Sequence, residues 1–383
     1  MKIVLATPLY PPEIGGPATY AKELALLLKD SHEITVVAFA STSEKIPGVK
    51  LVTVSKRRSL PLRLFKFTWV LWREARESNV IYVQNAVAAG LPAVLVGMLT
   101  GVPVVLKFVG DEAWERATQL RQTSLQLEEF LLRPEGSLKI RLILKLQGFV
   151  LRRANRVATP SSYLRNAIIR TYHIKPERVV VNYNAAQKPD ALPFDQKIIP
   201  HQLVVTARLV EWKGVDGIIR AMTHIVGEFP DTKLLVAGDG PEEESLKRLA
   251  EELGLKTHVV FLGRISRAET WHIRKISEVY VLNSYYEGLP HTALTSFAAG
   301  IPMVATDIPG TNEAVYHEKT GLLVQPHDDQ ALAEAIKRLF KDQPLKEKLV
   351  AGGKKLLTEK FSWEAHIKIL TTLFESVRTV PRN

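Results

Sequence analysis

Residues 203–214 read LVVTARLVEWKG, an apolar and β-branched run followed by a loop that contains two cations and a glycine. The run has the length and composition of a buried strand, and the residues that follow have the composition of a helix. The same order of strand, loop and helix recurs on both sides of this stretch. Such an alternation predicts parallel sheets with helices on both faces, which is the doubly wound α/β class.

Two such sheets are expected because the alternation is interrupted once. The predicted strands are residues 3–6, 34–39, 51–54, 80–83, 102–106 and 157–158 before the interruption, and 203–207, 234–237, 259–262, 279–282 and 303–305 after it. Between the two sets, residues 182–202 are polar and contain Pro189, Pro193 and Pro200, which is typical of a linker.

We therefore predict an N-terminal domain over residues 1–190 and a C-terminal domain over residues 191–360. Residues 361–383 are expected to form a last helix that packs back on the first domain. Ligands of doubly wound sheets bind at the carboxyl ends of the strands, so the two domains are expected to face each other across a cleft.

The composition is that of a globular protein and excludes several classes of site. The chain has 383 residues, of which 46% are hydrophobic and 24% are charged, which suits two domains. The absence of cysteine excludes disulfides, thiolate nucleophiles and cysteine-ligated metal centres. The first apolar run ends at Pro8 and is too short for a signal peptide, so we expect a cytoplasmic location.

One uncharged segment, residues 86–106, has the length of a membrane span. Gly90-Leu91-Pro92 and Gly101-Val102-Pro103 interrupt it. These interruptions fit the order strand, turn, buried helix, turn and strand better than one continuous helix.

The basic charge lies in one half of the chain. Residues 1–196 contain 27 basic and 16 acidic residues, whereas residues 197–383 contain 24 of each, so the first half carries the whole net charge of +11. The first half is therefore expected to face something anionic. No recognised nucleic-acid motif accompanies the charge, so nucleic acid is not an expected partner.

Two basic segments account for much of this charge. Residues 56–76 contain seven bases, one acid, two Phe and two Trp, and residues 138–156 contain six bases and no acid. Basic helices with aromatic residues suit peripheral contact with an anionic membrane. The alternative is that these helices bury their apolar faces in the domain core and expose a basic outer face.

Three predicted loops between a strand and a helix carry groups suited to anions or sugars. Gly15-Gly16 allows backbone amides at a helix N-terminus to approach a ligand, and Arg208 with Lys213 can bracket a diphosphate. Glu287 can accept hydrogen bonds from sugar hydroxyls, next to the helix N-terminus at residues 291–292. Taken singly, each has an ordinary explanation as a tight turn, a solvated loop or a capping carboxylate.

Taken together, these stretches resemble the donor site of the retaining, nucleotide-sugar-dependent glycosyltransferases of family 4, which have the two-domain GT-B fold. The resemblance spans nearly the whole chain. It rests on PPEIGG at 11–16, ARLVEWKG at 207–214, VAGDGP at 236–241, EGLP at 287–290, and GTNE at 310–313 leading to TGLLV at 320–324.

The resemblance implies that Arg208 and Lys213 hold the donor diphosphate without a metal, with a UDP- or GDP-sugar as substrate and no cofactor. It also implies that Glu287 contacts the transferred sugar and that Arg264 lies near the base. The donor-site residues expected on this basis are Gly15, Gly16, Arg208, Lys213, Arg264, Glu287, Gly288, Leu289, His291, Thr292 and Thr295.

The sequence departs from the family pattern at two positions. A second Glu usually follows the first by eight residues, but here that position is Thr295, so binding of the ribose is weaker or is supplied elsewhere. A His usually follows the strand at residues 104–108, but here the segment reads KFVGDE. Asp111 is therefore the candidate for the polar catalytic group, together with Glu287; the alternative is that Asp111 only caps a turn.

The expected function is transfer of a sugar from a nucleotide donor to a glycan or lipid-linked acceptor of the cell envelope, with retention of the anomeric configuration. The enzyme is expected in the cytoplasm, with peripheral contact to the inner face of the membrane. Two alternatives remain: a nucleotide-sugar epimerase of the same fold, and a non-catalytic protein that binds nucleotides or glycans.

Overall fold

The computed structural model describes residues 1–13, 15–41, 44–57, 59–186 and 197–378. The chain forms two compact units. Unit 1 comprises the described residues of 1–182 together with residues 368–378, and unit 2 comprises the described residues of 183–367. The predicted domain boundary between residues 190 and 191, together with Pro189 and Pro193, lies outside the described residues, so this boundary stays a prediction.

Unit 1 contains a parallel seven-stranded sheet in the order β3-β2-β1-β4-β5-β6-β7. Its strands are β1 (Lys2–Thr7), β2 (Glu33–Phe39), β3 (Val49–Val54), β4 (Val80–Gln84), β5 (Val104–Lys107), β6 (Arg156–Thr159) and β7 (Val179–Val181). Its helices are α1 (Gly16–Leu28), α2 (Leu60–Ala75), α3 (Gly90–Thr100), α4 (Glu112–Gln119), α5 (Leu127–Leu132), α6 (Leu138–Arg153) and α7 (Ser162–Tyr172).

Unit 2 contains a parallel six-stranded sheet in the order β10-β9-β8-β11-β12-β13. Its strands are β8 (Ile199–Thr206), β9 (Lys233–Ala237), β10 (Val259–Gly263), β11 (Ser277–Leu282), β12 (Met303–Thr306) and β13 (Leu322–Val324). The later helices are α8 (Val215–Ile225), α9 (Glu243–Glu252), α10 (Arg267–Ile276), α11 (His291–Ala299), α12 (Asp329–Lys341), α13 (Gln343–Lys360) and α14 (Trp363–Val377).

The apolar run that begins at residue 203 lies in β8, a central strand of the sheet of unit 2. In β8, Leu203 and Val205 belong to one apolar core and Val204 to another, because successive side chains of a strand point to opposite faces. Helices cover both faces, so every position of the strand after residue 201 is buried. The prediction of two doubly wound parallel sheets is confirmed.

Three details differ from the prediction. β8 begins at Ile199, inside the predicted linker, because a proline is tolerated near the start of a strand and Pro200 is its second residue. The three-residue edge strands β7 and β13 were not predicted, since runs this short carry little periodicity.

Helix α3 is the third difference. A turn separates it from β5, as predicted. It is not fully buried, however, since Leu95, Met98 and Leu99 are exposed on one side. In the part of the chain that the structure describes, no helix combines the length and the apolar character needed to cross a membrane.

The last helix ends in unit 1, as predicted. Phe374 of α14 is fully buried, and its ring packs edge-on against the ring of Tyr82 in β4 at a centroid distance of 5.4 Å. Leu370 and Leu373 are also buried. The final described turns of the chain are therefore part of the core of unit 1.

Phe374→Ala is expected to lower the free energy of unfolding by about 3–5 kcal/mol, because it leaves a cavity where a large ring is buried. Urea unfolding followed by circular dichroism measures the change. The control is Glu375→Ala at the exposed neighbouring position, for which we expect a change within about 0.5 kcal/mol. Equal effects of the two substitutions would contradict the packing of α14 in this core.

Candidate functional site

A cavity of about 470 Å³ lies at the carboxyl edge of the sheet of unit 2. The loops that follow β8, β9, β10 and β11 all contribute to its wall. They meet there because these four strands are parallel, so each of the loops leaves the sheet at the same edge.

Five of the residues predicted from the sequence line this cavity, namely Arg208, Lys213, Arg264, Glu287 and Thr292. They come from three loops and the start of α11. The structure thus brings together groups that can meet a diphosphate, a base and a sugar, while their individual roles stay predictions.

The closest charged contact in the cavity is the ion pair between Lys213 and Glu287. Lys213 Nζ lies 2.6 Å from Glu287 Oε1, and the Ser284 hydroxyl donates to the same oxygen at 2.8 Å. The Lys213 and Glu287 side chains are only 22% and 10% exposed, so water screens their charges weakly. An ammonium group has three donors, and the contact with Glu287 leaves Lys213 able to donate to an anion as well.

Gly214 places Lys213. The short helical turn at Glu211–Lys213 ends at Gly214, whose φ of 59° is left-handed. A Cβ atom at this position would lie 2.0 Å from the carbonyl oxygen of Asn283. Only glycine therefore allows the loop after β8 to pack on the loop after β11, and this contact brings Lys213 to Glu287.

A second close approach positions Arg208. Gly238, with a φ of 137°, would place a Cβ atom 1.8 Å from the carbonyl oxygen of Ala207, and the amide of Leu209 donates to the carbonyl of Asp239 at 2.8 Å. The glycines of VAGDGP thus let two loops pack backbone to backbone.

The two arginines of the cavity differ in their pairing. Among the described residues, no carboxylate lies within 4.0 Å of the exposed Arg208 guanidinium. Arg264 is paired, with its Nε 3.1 Å from Asp239 Oδ2. Arg208 can therefore take an anionic ligand without first losing an ion pair.

Four other predicted donor-site residues are not in the cavity wall: Gly288, Leu289, His291 and Thr295. Leu289 is buried in the apolar core of unit 2. The Thr295 hydroxyl donates to the carbonyls of His291 and Thr292 at 3.1 and 3.0 Å, one turn earlier in α11. Its proton is thus used within its own helix, so it can offer a ribose only an acceptor. The donor roles of these four residues stay predictions.

Gly15 and Gly16 lie at the N-terminus of α1 in unit 1. The Gly15 carbonyl accepts from the amides of Ala18 and Thr19, and a Cβ atom on Gly16 would meet nothing within 4 Å. Ile14, which belongs to the same motif, lies outside the described residues. Contact of these glycines with a donor stays a prediction.

Asp111 is the N-cap of α4 in the interior of unit 1. Its Oδ1 accepts from the amide of Trp114 at 2.9 Å, and its Oδ2 accepts from Gln147 and from the Tyr172 hydroxyl at 2.5 and 2.7 Å. Burial raises the pKa of Asp111 above its usual value, although these hydrogen bonds act in the opposite direction. The carboxylate joins α4, α6 and α7, which is the capping alternative; its catalytic role stays a prediction.

Sequence reasoning missed Arg274, a buried cation next to the cavity. One of its Nη atoms donates to the Thr206 hydroxyl, and its guanidinium lies 5.2 Å from the centre of the Tyr280 ring. Thr206 and Tyr280 both line the cavity. The only signal in the sequence is that Arg274 follows the cavity residue Thr270 by one helical turn, but helical spacing does not tell a buried base from an exposed one.

The Arg274 guanidinium is buried without an acidic partner in the part of the chain that the structure describes. Within the described ranges, no carboxylate lies within 4.0 Å of it, and its Nε has no hydrogen-bond partner. A buried charge without a counterion is costly, so Arg274 adds positive potential next to the cavity at the expense of stability.

Two family models match the chain. The "Glycosyl transferase 4-like domain" covers residues 15–185, and "Glycosyl transferases group 1" covers residues 193–356. An uncharacterised glycosyltransferase of Methanocaldococcus jannaschii is 26% identical over 95% of each chain. The lipopolysaccharide core biosynthesis glycosyltransferase LpsD of Rhizobium meliloti is 35% identical over 51% of this chain and 57% of its own length.

The fold also resembles a solved structure. HepE of Anabaena in complex with UDP has a TM-score of 0.74 at 20% identity, over 98% of this chain and all of that chain. At this level of identity the likeness concerns the fold, which is the GT-B fold.

The ion pair predicts how the binding of a nucleoside diphosphate responds to substitution. In calorimetry, Lys213→Ala is expected to lower the affinity for UDP, or for GDP if the wild type prefers it, at least about tenfold. The variant loses a cation and leaves the Glu287 carboxylate without its counterion. Adding Glu287→Gln is expected to restore part of the affinity. The control is Lys256→Ala, which changes a paired surface lysine of the same unit. If the double variant binds the nucleotide as weakly as the single variant, repulsion between the unpaired Glu287 carboxylate and the diphosphate is not the cause of the loss.

Arg274→Met is expected to lower the affinity for UDP about tenfold and to change the affinity for uridine by no more than about twofold. The reason is that the potential of a buried cation acts on the charged ligand alone. If the wild type prefers guanine nucleotides, the same comparison is made with GDP and guanosine. The matched control is Lys275→Met, at the exposed neighbouring position of α10. Equal losses for nucleotide and nucleoside would show that Arg274 only supports the shape of the cavity.

Proposed function

Because this chain belongs to the family 4 glycosyltransferases with the GT-B fold, we propose that it transfers a hexosyl group from a UDP- or GDP-sugar with retention. The family makes it a nucleotide-sugar glycosyltransferase. That it transfers a hexose, that it retains the anomeric configuration and which acceptor it uses are what we propose. The bond from sugar C1 to the diphosphate breaks, a bond from C1 to an acceptor hydroxyl oxygen forms on the same face of the sugar, and the proton of that hydroxyl passes to the departing diphosphate.

The observation that carries the proposal is the meeting of Arg208, Lys213 and Glu287 in one cavity. As the C1–oxygen bond breaks, negative charge develops on the departing diphosphate. The Lys213 ammonium is already held in place by Glu287, so it can stabilise that charge with little reorganisation, which is where electrostatic catalysis is most effective. The exposed Arg208 guanidinium adds a second cation at the same cavity wall. We propose that these side chains do this without a metal ion.

Glu287 supports the sugar end of the proposed site. One of its carboxylate oxygens is used by Lys213 and Ser284, which holds the side chain in place. A carboxylate oxygen has further acceptor capacity, so Glu287 can accept hydrogen bonds from sugar hydroxyls. Lys213 and Glu287 would thus connect the leaving group and the transferred sugar through a single contact.

The proposed acceptor is a glycan or a lipid-linked molecule of the cell envelope. Support comes from the name of the Rhizobium meliloti relative, which acts in lipopolysaccharide core biosynthesis, and from the basic first half of the chain. We place the enzyme on the cytoplasmic side, in peripheral contact with an anionic membrane.

The test is turnover of UDP- and GDP-sugars with and without a lipid-linked oligosaccharide acceptor. We expect release of nucleoside diphosphate only when acceptor is present, and an α-linked product from an α-linked donor, read by NMR. Lys213→Ala is expected to lower kcat/KM about 100-fold or more, since it removes a charge that acts in the transition state, and Lys256→Ala is expected to change it little.

Two outcomes would favour the alternatives. Formation of an isomeric sugar nucleotide from donor alone would indicate an epimerase. Binding of UDP or GDP without turnover of any donor in the panel would indicate a non-catalytic binding protein.

A further inference from the structure

Three neighbouring helices of unit 1 expose large apolar side chains. Helix α3 packs against α2 on one side and against α6 on the other. We call the outer surface of these helices the three-helix face. Its apolar side chains, each between 36% and 85% exposed, are Leu62, Phe65, Trp69 and Trp72 of α2, Leu95, Met98 and Leu99 of α3, and Leu138 and Leu142 of α6.

Helix α2 has two apolar sides. Phe67, Val70, Leu71 and Ala75 are buried against the unit, as expected for a surface helix. The exposed residues Leu62, Phe65, Trp69 and Trp72 follow each other at intervals of three or four and form a second stripe on the outside. A surface helix normally carries polar residues on that side, so the core does not explain this stripe.

Helix α3 extends the apolar surface. Its sequence, GLPAVLVGMLT, contains no charged residue. Pro92, Ala93 and Val96 are buried, whereas Leu95, Met98 and Leu99 lie on the outside at helical spacing. The apolar stripe of α2 is therefore adjacent to a helix with no charge of its own.

Basic side chains accompany the exposed apolar ones. The guanidinium groups of Arg73 and Arg76 lie 5.3 and 4.9 Å from the ring centres of Trp69 and Trp72. On α6, Lys139, Arg141 and Lys145 are exposed beside Leu138 and Leu142.

Acidic charge is nearly absent from these helices. Glu74 is the single acid in α2, α3 and α6. Its side chain is 6% exposed and pairs with Lys50 and Arg73. The charge that the face presents to a partner is therefore positive.

We propose that the three-helix face docks this protein on the surface of an anionic lipid bilayer. The inference rests on the proposed function, because it would place the enzyme at a lipid-linked acceptor, and it adds the surface that makes the contact. Leu, Met and Phe side chains insert at the boundary of the acyl chains, Trp lies at the headgroup level, and Arg and Lys meet the phosphates.

Charge complementarity selects this occupant. A second copy of the chain would bring its own bases against those of the first, which disfavours a symmetric dimer through this face. A bilayer with anionic headgroups neutralises the same bases while it covers the apolar stripe, with affinity rising about fivefold per base.

The experiment is flotation of the full chain with vesicles of phosphatidylcholine, with and without phosphatidylglycerol. We expect flotation with the anionic vesicles and little with the neutral ones. The triple substitution Phe65→Ser, Trp69→Ser and Leu99→Ser is expected to reduce binding at least about tenfold. The control is Leu253→Ser with Val260→Ser, which changes exposed apolar residues of unit 2.

A charge series tests the basic part of the face. Lys139→Gln, Arg141→Gln and Lys145→Gln together are expected to weaken anionic binding at least about tenfold. The matched control makes the same change at Lys256, Lys348 and Lys355, three exposed bases of unit 2. Equal effects of the two triple variants would overturn the assignment to this face, because binding would then depend only on the net charge of the protein.

A depth measurement identifies the inserted face. Brominated lipids are expected to quench the tryptophan fluorescence of the wild type. Trp69→Phe with Trp72→Phe should float normally and lose most of that quenching, because the rings stay apolar while the reporters are removed. Quenching that persists in this variant would mean that another face enters the bilayer.

UDP binding separates this inference from the proposed function. All of these substitutions lie outside the cavity, so each variant is expected to bind UDP, or GDP if the wild type prefers it, with wild-type affinity. Loss of flotation with retained nucleotide binding supports the three-helix face. Retained flotation of the serine variant overturns it, whether or not the protein turns over a donor.

Discussion

The parallel pairing of β8 with β9 and β11 is the constraint on which the candidate site depends. It directs the loops that follow these strands to one edge of the sheet. Pairing alone does not bring the loops into contact. Gly214 and Gly238 do so, because at each position a Cβ atom would overlap a carbonyl oxygen of the neighbouring loop. The distance from Lys213 to Glu287 is a consequence of these backbone contacts.

The chain uses positive charge in two different ways. Most of unit 2 lies in the half of the chain with equal numbers of acids and bases, so its cavity depends on the placement of a few cations and not on net charge. In unit 1 the bases are spread over helix surfaces beside exposed Trp and Leu side chains. The first arrangement is suited to one small anion and the second to an extended anionic surface. The net charge of +11 is thus informative only after the two units are considered separately.

Buried polar groups show where sequence reasoning is weakest. Asp111 and Glu287 are both carboxylates in loops between a strand and a helix, and the sequence offers the same two explanations for each. In the structure, Asp111 caps α4 and is closed off by Gln147 and Tyr172, whereas Glu287 lies in a cavity wall beside Lys213. The groups that decide this lie 36 to 74 residues away in the chain, and local pattern carries no information about such contacts.

The sequence by itself determined the doubly wound class, the interruption between two sheets, the family and the loops with Arg208, Lys213 and Glu287. These features depend on periodicity and on motifs, which are local properties of the chain. Only the tertiary structure decided that Lys213 pairs with Glu287, that Arg274 is buried beside the cavity and that one side of α3 is exposed beside α2. Each of these results depends on which distant side chains share a volume from which water is excluded, and burial of that kind is set by packing between elements.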